Sequence, residues 1–520
     1  MTKKIILHPF TFAVFPILAL LAYNITEVTP RVALRSIVIS LTTALLLTVI
    51  FRLISRSWQK AGLLTTLFMI LFFSYGHIYE FLQQHAVFGY NLGRHRYLTV
   101  AYGLIFIVGL WIVMRKLKHL NNLTQMFNLV GLLLLILPVY QIARYSFTVA
   151  RNEQLSERAA PLTSELVVPE NAKLPDVYFI ILDGYTRQDA LLRDFNYDNK
   201  PFLDSLRGMG FYVADCSRSN YPKTQGSLAT ALNMNYLPEL NANLATQGMS
   251  DEDIGLLVKE NQVRKLLESI GYITVAFDSG YEWSRITDAD AYLQYTGKPY
   301  EFQVPQPFEV VLLRTTAVLI WSDTINPAST GYSQTQTPFA GVNFVFDDHI
   351  NRQLYILNEL PRLASYSGPK FVFAHIMIPH IPYVFEPDGQ IASDPGYYSS
   401  PGSNGPVDEE YQVKGYTNEI QFLNSRLPGI LDTLIRKSAV PPIIVLLGDH
   451  GLGDENRSEN LAAYYLPGAG AQTFYPSISP VNAFRLIFNT SFGAHYSLLP
   501  DVSYDESNQP ITETSPACLP

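Results

Sequence analysis

The chain has 520 residues, a formal net charge of -8, 48% hydrophobic but only 16% charged side chains, and two cysteines. A charged share well below the usual ~25% excludes a disordered chain and points to a membrane portion. Two cysteines exclude a disulfide scaffold, and the acidic balance argues against a nucleic-acid partner.

The net charge combines two unlike parts. Residues 1–150 hold 13 Lys and Arg against two acids, Glu27 and Glu80, a net of +11; the rest holds 24 basic and 43 acidic residues, a net of -19. The first part carries five apolar stretches, at 5–25, 32–51, 61–82, 97–114 and 126–147. Each is near the ~20 residues a helix needs to span the hydrocarbon core, so residues 1–150 are expected to form an anchor of five transmembrane helices. Lys3, Lys4, Arg52, Arg56, Lys60, Arg115, Lys116 and Lys118 fall on one side of such an anchor, and mainly Arg31, Arg94 and Arg96 on the other. The positive-inside rule then places the N-terminus in the cytoplasm and everything after Phe147 outside the cell membrane. No A-x-A site follows the first stretch, which is expected to be an uncleaved helix rather than a signal peptide.

Residues 151–174 read as a polar linker, 175–510 as an outer domain and 511–520 as a tail. Segments 331–338 and 394–406 read as long loops. Apolar runs at 177–182, 273–277, 371–377 and 443–447 read as buried strands. Helical patterns occupy 201–209, 256–270, 347–365 and 411–435, the last read as an amphipathic surface helix. Alternating strands and helices predict an α/β domain with a mainly parallel sheet sandwiched by helices. Chemistry in such a fold gathers at the carboxyl ends of the strands.

Two of those ends carry metal-ligand chemistry. The 177–182 run leads into Asp183-Gly184, and the 443–447 run into Gly448-Asp449-His450-Gly451. Carboxylates with an imidazole suit Zn²⁺ or Mn²⁺. A third segment, Asn220-Tyr221-Pro222-Lys223-Thr224, opens a helix near Thr224. A Thr hydroxyl there faces backbone N–H groups that favour an anion, and a metal beside it would make it a nucleophile; an ordinary helix cap is the plain alternative. Asp347-Asp348-His349 also has ligand chemistry, but acids there are expected to favour a helix N-terminus. The apolar segment 481–489 is assigned to packing.

Leu182-Asp183-Gly184, then Thr224, then Gly448-Asp449-His450-Gly451, in this order behind five apolar stretches, resemble the alkaline phosphatase superfamily. The closer resemblance is to its sulfatase-like membrane branch of lipoteichoic acid synthases and phosphoethanolamine transferases. The resemblance implies one divalent metal ion, Zn or Mn, held by Asp183, Thr224, Asp449 and His450, with Thr224 as the nucleophile. It also matches Phe371-Val372-Phe373-Ala374-His375-Ile376-Met377-Ile378-Pro379-His380 to a strand followed by a substrate-facing histidine. His380 is the better match for a catalytic role and His375 the second candidate, for substrate binding.

Two departures refine this. Cys216 is followed by Ser217-Arg218-Ser219, not by the Cys-x-Pro-x-Arg of formylglycine sulfatases, which leaves Thr224 chemistry; Cys216 and Cys518 are candidates to pair. None of the five histidines after residue 170 is preceded at position -4 by Asp, so the second zinc site of two-zinc phosphatases is not expected in that form. The implied activity is transfer of a phosphoglycerol- or phosphoethanolamine-type head group from a membrane lipid donor to a cell-envelope acceptor. A phosphate or sulfate ester hydrolase, and a non-catalytic envelope-assembly protein, are the alternatives.

Overall fold

The computed structural model describes residues 5–25, 28, 30–84, 93–118, 120–157, 166–168, 173–240, 251–295, 307–320, 344–392, 409–452, 457–468, 473–505 and 509–511. The expected loops at 331–338 and 394–406, and Cys518, lie outside the described residues. The chain divides into two compact units, Met1–Arg151 with Lys298–Asp347 and Tyr398–Pro406, and Asn152–Gly297 with Asp348–Tyr397 and Val407–Pro520.

In the first unit each apolar stretch is helical: α1 (His8–Tyr23), α2 (Ala33–Ser55), α3 (Trp58–Gln84), α4 (His95–Trp111) and α5 (Leu120–Glu157). Among the described residues four segments are long and apolar enough to cross a membrane: Pro30–Ser55, Trp58–Leu82, His95–Lys116 and Leu120–Phe147. α1 is shorter, with 16 residues. Pro9 sits in its first turn, where no N–H is required. α5 runs ten residues past Phe147, into the segment expected to be linker.

Leu34, Val38, Leu53, Val100, Leu104 and Ile136 of these helices are exposed. A belt of such side chains is what hydrocarbon solvates and water does not. Inside, Ala13, Ile17 and Leu21 pack on Ala33, Ala44, Met69 and Phe73.

The chain returns to this unit late, which a contiguous boundary at residue 150 does not anticipate. Phe308 and Leu312, on the helix Pro307–Arg314, join the same apolar cluster. Glu309 pairs with Arg35 of α2. Gly76 N–H donates to the Thr315 carbonyl at 3.0 Å, and Ala317 N–H to that of Phe72 at 2.8 Å.

The second unit is built on a mixed sheet of β1 (Val177–Leu182), β2 (Tyr212–Val213), β3 (Ile273–Phe277), β4 (Ala291–Leu293), β5 (Lys370–Ile376), β6 (Ile443–Gly448) and β7 (Ala462–Tyr465). Its order is β2-β7-β6-β1-β5-β3-β4. β6, β1, β5, β3 and β4 run parallel, while β7 is antiparallel to both β6 and β2. All residues of β1, β5 and β6 are buried, as their near-continuous apolar sequences require of strands covered on both faces. Phe179, Phe373, Val445, Leu447 and Phe484 form part of one core.

Two helical patterns resolve differently from expectation. The 256–270 pattern is two helices, Asp251–Lys259 and Gln262–Ser269, because the Asn261 side chain accepts from Arg264 N–H and starts the second one. The 347–365 pattern is an α-helix, Phe344–Glu359, that tightens into a 3₁₀ segment, Leu360–Ser365, where Pro361 removes a donor.

Register positions the site. Leu182 of β1 lies opposite Ile376 of β5 and Gly448 of β6, so the residues leaving the two outer strands converge on the one leaving β1.

Candidate metal centre and nucleophile

The residues that follow β1 and β6 are Asp183 and Asp449-His450, and their side chains meet. Asp183 Oδ1, Asp449 Oδ2 and His450 Nε2 are all buried, and one ligand atom from each residue lies within 4.8 Å of the others. Gly184 has φ +75, a left-handed turn that glycine adopts without strain. It carries its N–H to Asp449 Oδ1 at 2.8 Å. Gly448 allows the close approach of the other loop: a Cβ there would stand 2.2 Å from the Tyr185 carbonyl oxygen.

Each of the three side chains has one polar atom committed elsewhere. Asp449 Oδ1 accepts from Gly184. Asp183 Oδ2 lies 3.1 Å from His375 Nε2. His450 Nδ1 lies 2.8 Å from the Gly451 carbonyl, which only accepts, so Nδ1 carries the proton and Nε2 presents a lone pair. The other carboxylate oxygens, Asp183 Oδ1 and Asp449 Oδ2, are buried with no hydrogen-bond partner among the described residues. They lie 3.9 and 3.4 Å from His450 Nε2. Buried charge of this kind is costly unless a cation meets it, and a carboxylate–imidazole donor set fits a divalent metal ion.

Thr224 completes the cluster. It is the first residue of the helix Thr224–Asn233, one position after the cap residue Lys223. Its hydroxyl is not engaged in capping but lies 3.2 Å from His450 Nε2.

The two further histidines take different places. His375 is fully buried on β5 and donates from Nε2 to Asp183 Oδ2. His380 lies just past β5, partly exposed, with its Nδ1 2.7 Å from the Ile381 carbonyl. Burial alone would push the Asp183 carboxyl up, but His380, His375 and His450 together hold it well below the usual carboxylate range.

His349, set aside in the sequence, also comes to this edge. Burial, with Arg352 and His380 nearby, pushes its imidazole down to about 3. Gln353, one turn along the same helix, accepts from Met377 N–H at 2.9 Å and braces the exit of β5. Cys216 is disulfide-bonded.

The loop bearing His380 is held from the helix Glu409–Lys437, where Glu419 is fully buried. Its Oε1 accepts from Val384 N–H at 2.7 Å, and Oε2 has no partner among the described residues. Burial pushes this carboxyl well above its ordinary range, against the pull of the Val384 and Phe385 N–H groups. A raised folded value means that stability is fully present below the unfolded-state pKa and is lost as pH rises through the folded one. Glu419→Gln keeps the acceptor and removes the proton. Thermal melts from pH 5 to 8 are therefore expected to show a decline in the wild type that the variant lacks, by a few degrees.

No protein-family model matches the chain. No curated protein matches it either. Solved structures do. The C-terminal periplasmic domain of EcEptC from Escherichia coli, in complex with Zn, is 12% identical, with 64% of this chain and 85% of that one covered and a TM-score of 0.39. The integral membrane protein lipooligosaccharide phosphoethanolamine transferase A from Neisseria meningitidis is 12% identical, with 93% and 94% covered and a TM-score of 0.36. A 2-O GAG sulfatase is 12% identical, with 66% and 76% covered and a TM-score of 0.39.

Proposed function

We propose that this chain is a membrane-bound, metal-dependent transferase that moves a phospho-head group from a lipid donor to an acceptor in the cell envelope through a covalent Thr224 intermediate. The observation that carries this reading is the convergence of uncommitted donor atoms. Asp183 Oδ1 and Asp449 Oδ2 have no partner among the described residues, and the uncapped Thr224 hydroxyl lies 3.2 Å from His450 Nε2. A binding scaffold has no use for two buried carboxylate oxygens without partners among the described residues beside a hydroxyl that caps no helix.

Asp183, Asp449, His450 and Thr224 would hold one Zn or Mn ion. Such an ion, when bound, acidifies a coordinated hydroxyl and offsets charge on phosphoryl oxygens. Thr224, which would already have lost its hydroxyl proton to solvent, forms the bond from Oγ1 to phosphorus as the bond from phosphorus to the lipid oxygen breaks, and it departs as the same oxyanion in the second half. His380 gives the departing lipid oxygen a proton from Nε2, its Nδ1 facing the Ile381 carbonyl. In the second half the acceptor hydroxyl loses its proton to His380 and displaces Thr224. His375, bonded to Asp183 Oδ2, orients that carboxylate and does not meet substrate in this reading. The anchor crosses the cell membrane five times, with the N-terminus in the cytoplasm and the catalytic unit outside, where a lipid donor and an envelope acceptor are both at hand.

Mass spectrometry of Thr224 in protein quenched with acid during turnover tests the covalent step. The expected result is a phospho-head-group adduct on the Thr224 peptide, whose mass names the transferred group. Turnover with unmodified Thr224 and an adduct on another residue would overturn the assignment.

A further inference from the structure

The two strand ends that carry Asp183 and Asp449-His450 need something to fix their separation, since the sheet stops at Leu182 and Gly448. Gly184 N–H to Asp449 Oδ1 is one tie. A second comes from the helix Glu409–Lys437, read from the sequence as a surface helix. Tyr416 on it is fully buried, and its hydroxyl lies 2.7 Å from the Gly184 carbonyl, 3.1 Å from Thr186 N and 2.8 Å from Thr186 Oγ1. Thr186 Oγ1 in turn accepts from Leu452 N–H at 2.7 Å.

Proton counting fixes the directions. A carbonyl only accepts, so the single phenolic proton goes to Gly184. The two lone pairs of the phenol then accept from Thr186 N–H and from the Thr186 hydroxyl. That leaves a lone pair on Thr186 Oγ1 for Leu452 N–H. Every donor and acceptor in the group is satisfied. The chain of bonds runs from the residue after Asp183, through Tyr416 and Thr186, to the second residue after His450.

We propose that the Tyr416 and Thr186 hydroxyls act as one positioning pair, Tyr416 fixing the Gly184–Thr186 turn and Thr186 tying it to Leu452, which holds the two ligand-bearing loops at metal-binding distance and so sets metal affinity without touching the ion. This rests on the metal-dependent reading above. Groups that orient ligands in this way are typically worth about 10- to 100-fold in metal affinity. Tyr416→Phe keeps the ring, which packs on Phe195 and Tyr383. It removes the proton for Gly184 and both lone pairs.

The test uses the full chain in detergent. Zn²⁺ affinity is measured by competition with a chromophoric chelator, and site geometry by the visible absorption of the Co²⁺-loaded protein. Tyr416→Phe is expected to weaken Zn²⁺ binding about 10- to 100-fold and to change the Co²⁺ band, at an unchanged ratio of one ion per chain. Thr186→Val, which removes the relay from the other side, is expected to do the same, and Thr186→Ser to recover the affinity. Wild-type affinity and spectrum in folded Tyr416→Phe overturn the proposal. If Tyr416→Phe fails to fold, Thr186→Val against Thr186→Ser decides in its place. A wild-type chain that binds neither Zn²⁺ nor Mn²⁺ overturns the metal reading itself, an outcome visible before any variant is made.

Discussion

Thr224→Ala is expected to lower turnover of a phospholipid donor by at least about a thousandfold, which is about 4 kcal/mol of transition-state stabilisation, while leaving thermal unfolding nearly unchanged. Both halves follow from the same geometry. The Thr224 hydroxyl makes no helix cap, and its neighbour is His450 Nε2 at 3.2 Å, so folding loses little when it goes. Chemistry loses the atom that bonds to phosphorus. Thr224→Ser restores a hydroxyl at the same point and is expected to retain activity within about tenfold of wild type. Steady-state rates with a fluorescent lipid donor, beside melting curves, separate the cases. A Thr224 that merely shaped the helix start would cost the Ala variant no more than a few-fold, and a loss that small removes the covalent route.

The parts of this molecule legible in its sequence share one property: their signal is local. β1, β3, β5 and β6 are apolar runs of five to seven residues, and such a run announces a buried strand without knowing its neighbours. β2, β4 and β7 have two, three and four residues, too short for any period to show. The cluster of Asp183, Asp449 and His450 was legible because each sits where a readable strand ends. Thr224 was legible only as a choice between cap and nucleophile; in the structure its hydroxyl makes no cap and lies 3.2 Å from His450 Nε2.

What escaped the sequence depends on long-range partners. The return of 307–320 to α2 and α3 looks like any apolar helix until Arg35 meets Glu309 across more than 270 residues. Tyr416 and Glu419 sit in an amphipathic run, where a polar residue reads as part of the wet face. Here that face is pressed against the two loops of the site. His349 follows two acids at a helix start, a pattern with an adequate local explanation, and only the fold brings it beside His380.

Metal removal should expose the cost of building this site. The proposed ligands are at positions 183, 224, 449 and 450, so the unfolded chain could not assemble them, and any ion bound only to the folded form would add stability. At a free metal concentration a thousandfold above Kd that addition is about 4 kcal/mol. For a unit of this size it corresponds to a melting point about 6 °C above that of the metal-free protein. Without the ion, Asp183 Oδ1 and Asp449 Oδ2 are buried side by side with no partner among the described residues. Unpaired buried charge destabilises, and replacing it by a neutral group of the same shape gives back part of the loss. Asp449→Asn is such a replacement: its amide oxygen still accepts from Gly184 N–H, and the second charge is gone. The rank order should therefore invert. With saturating Zn²⁺ the wild type melts above Asp449→Asn, because only the wild type binds the ion tightly. With chelator present Asp449→Asn melts at or above the wild type. A rank order that is the same in both conditions would mean that these carboxylates hold no metal and are stabilised by something else in the fold.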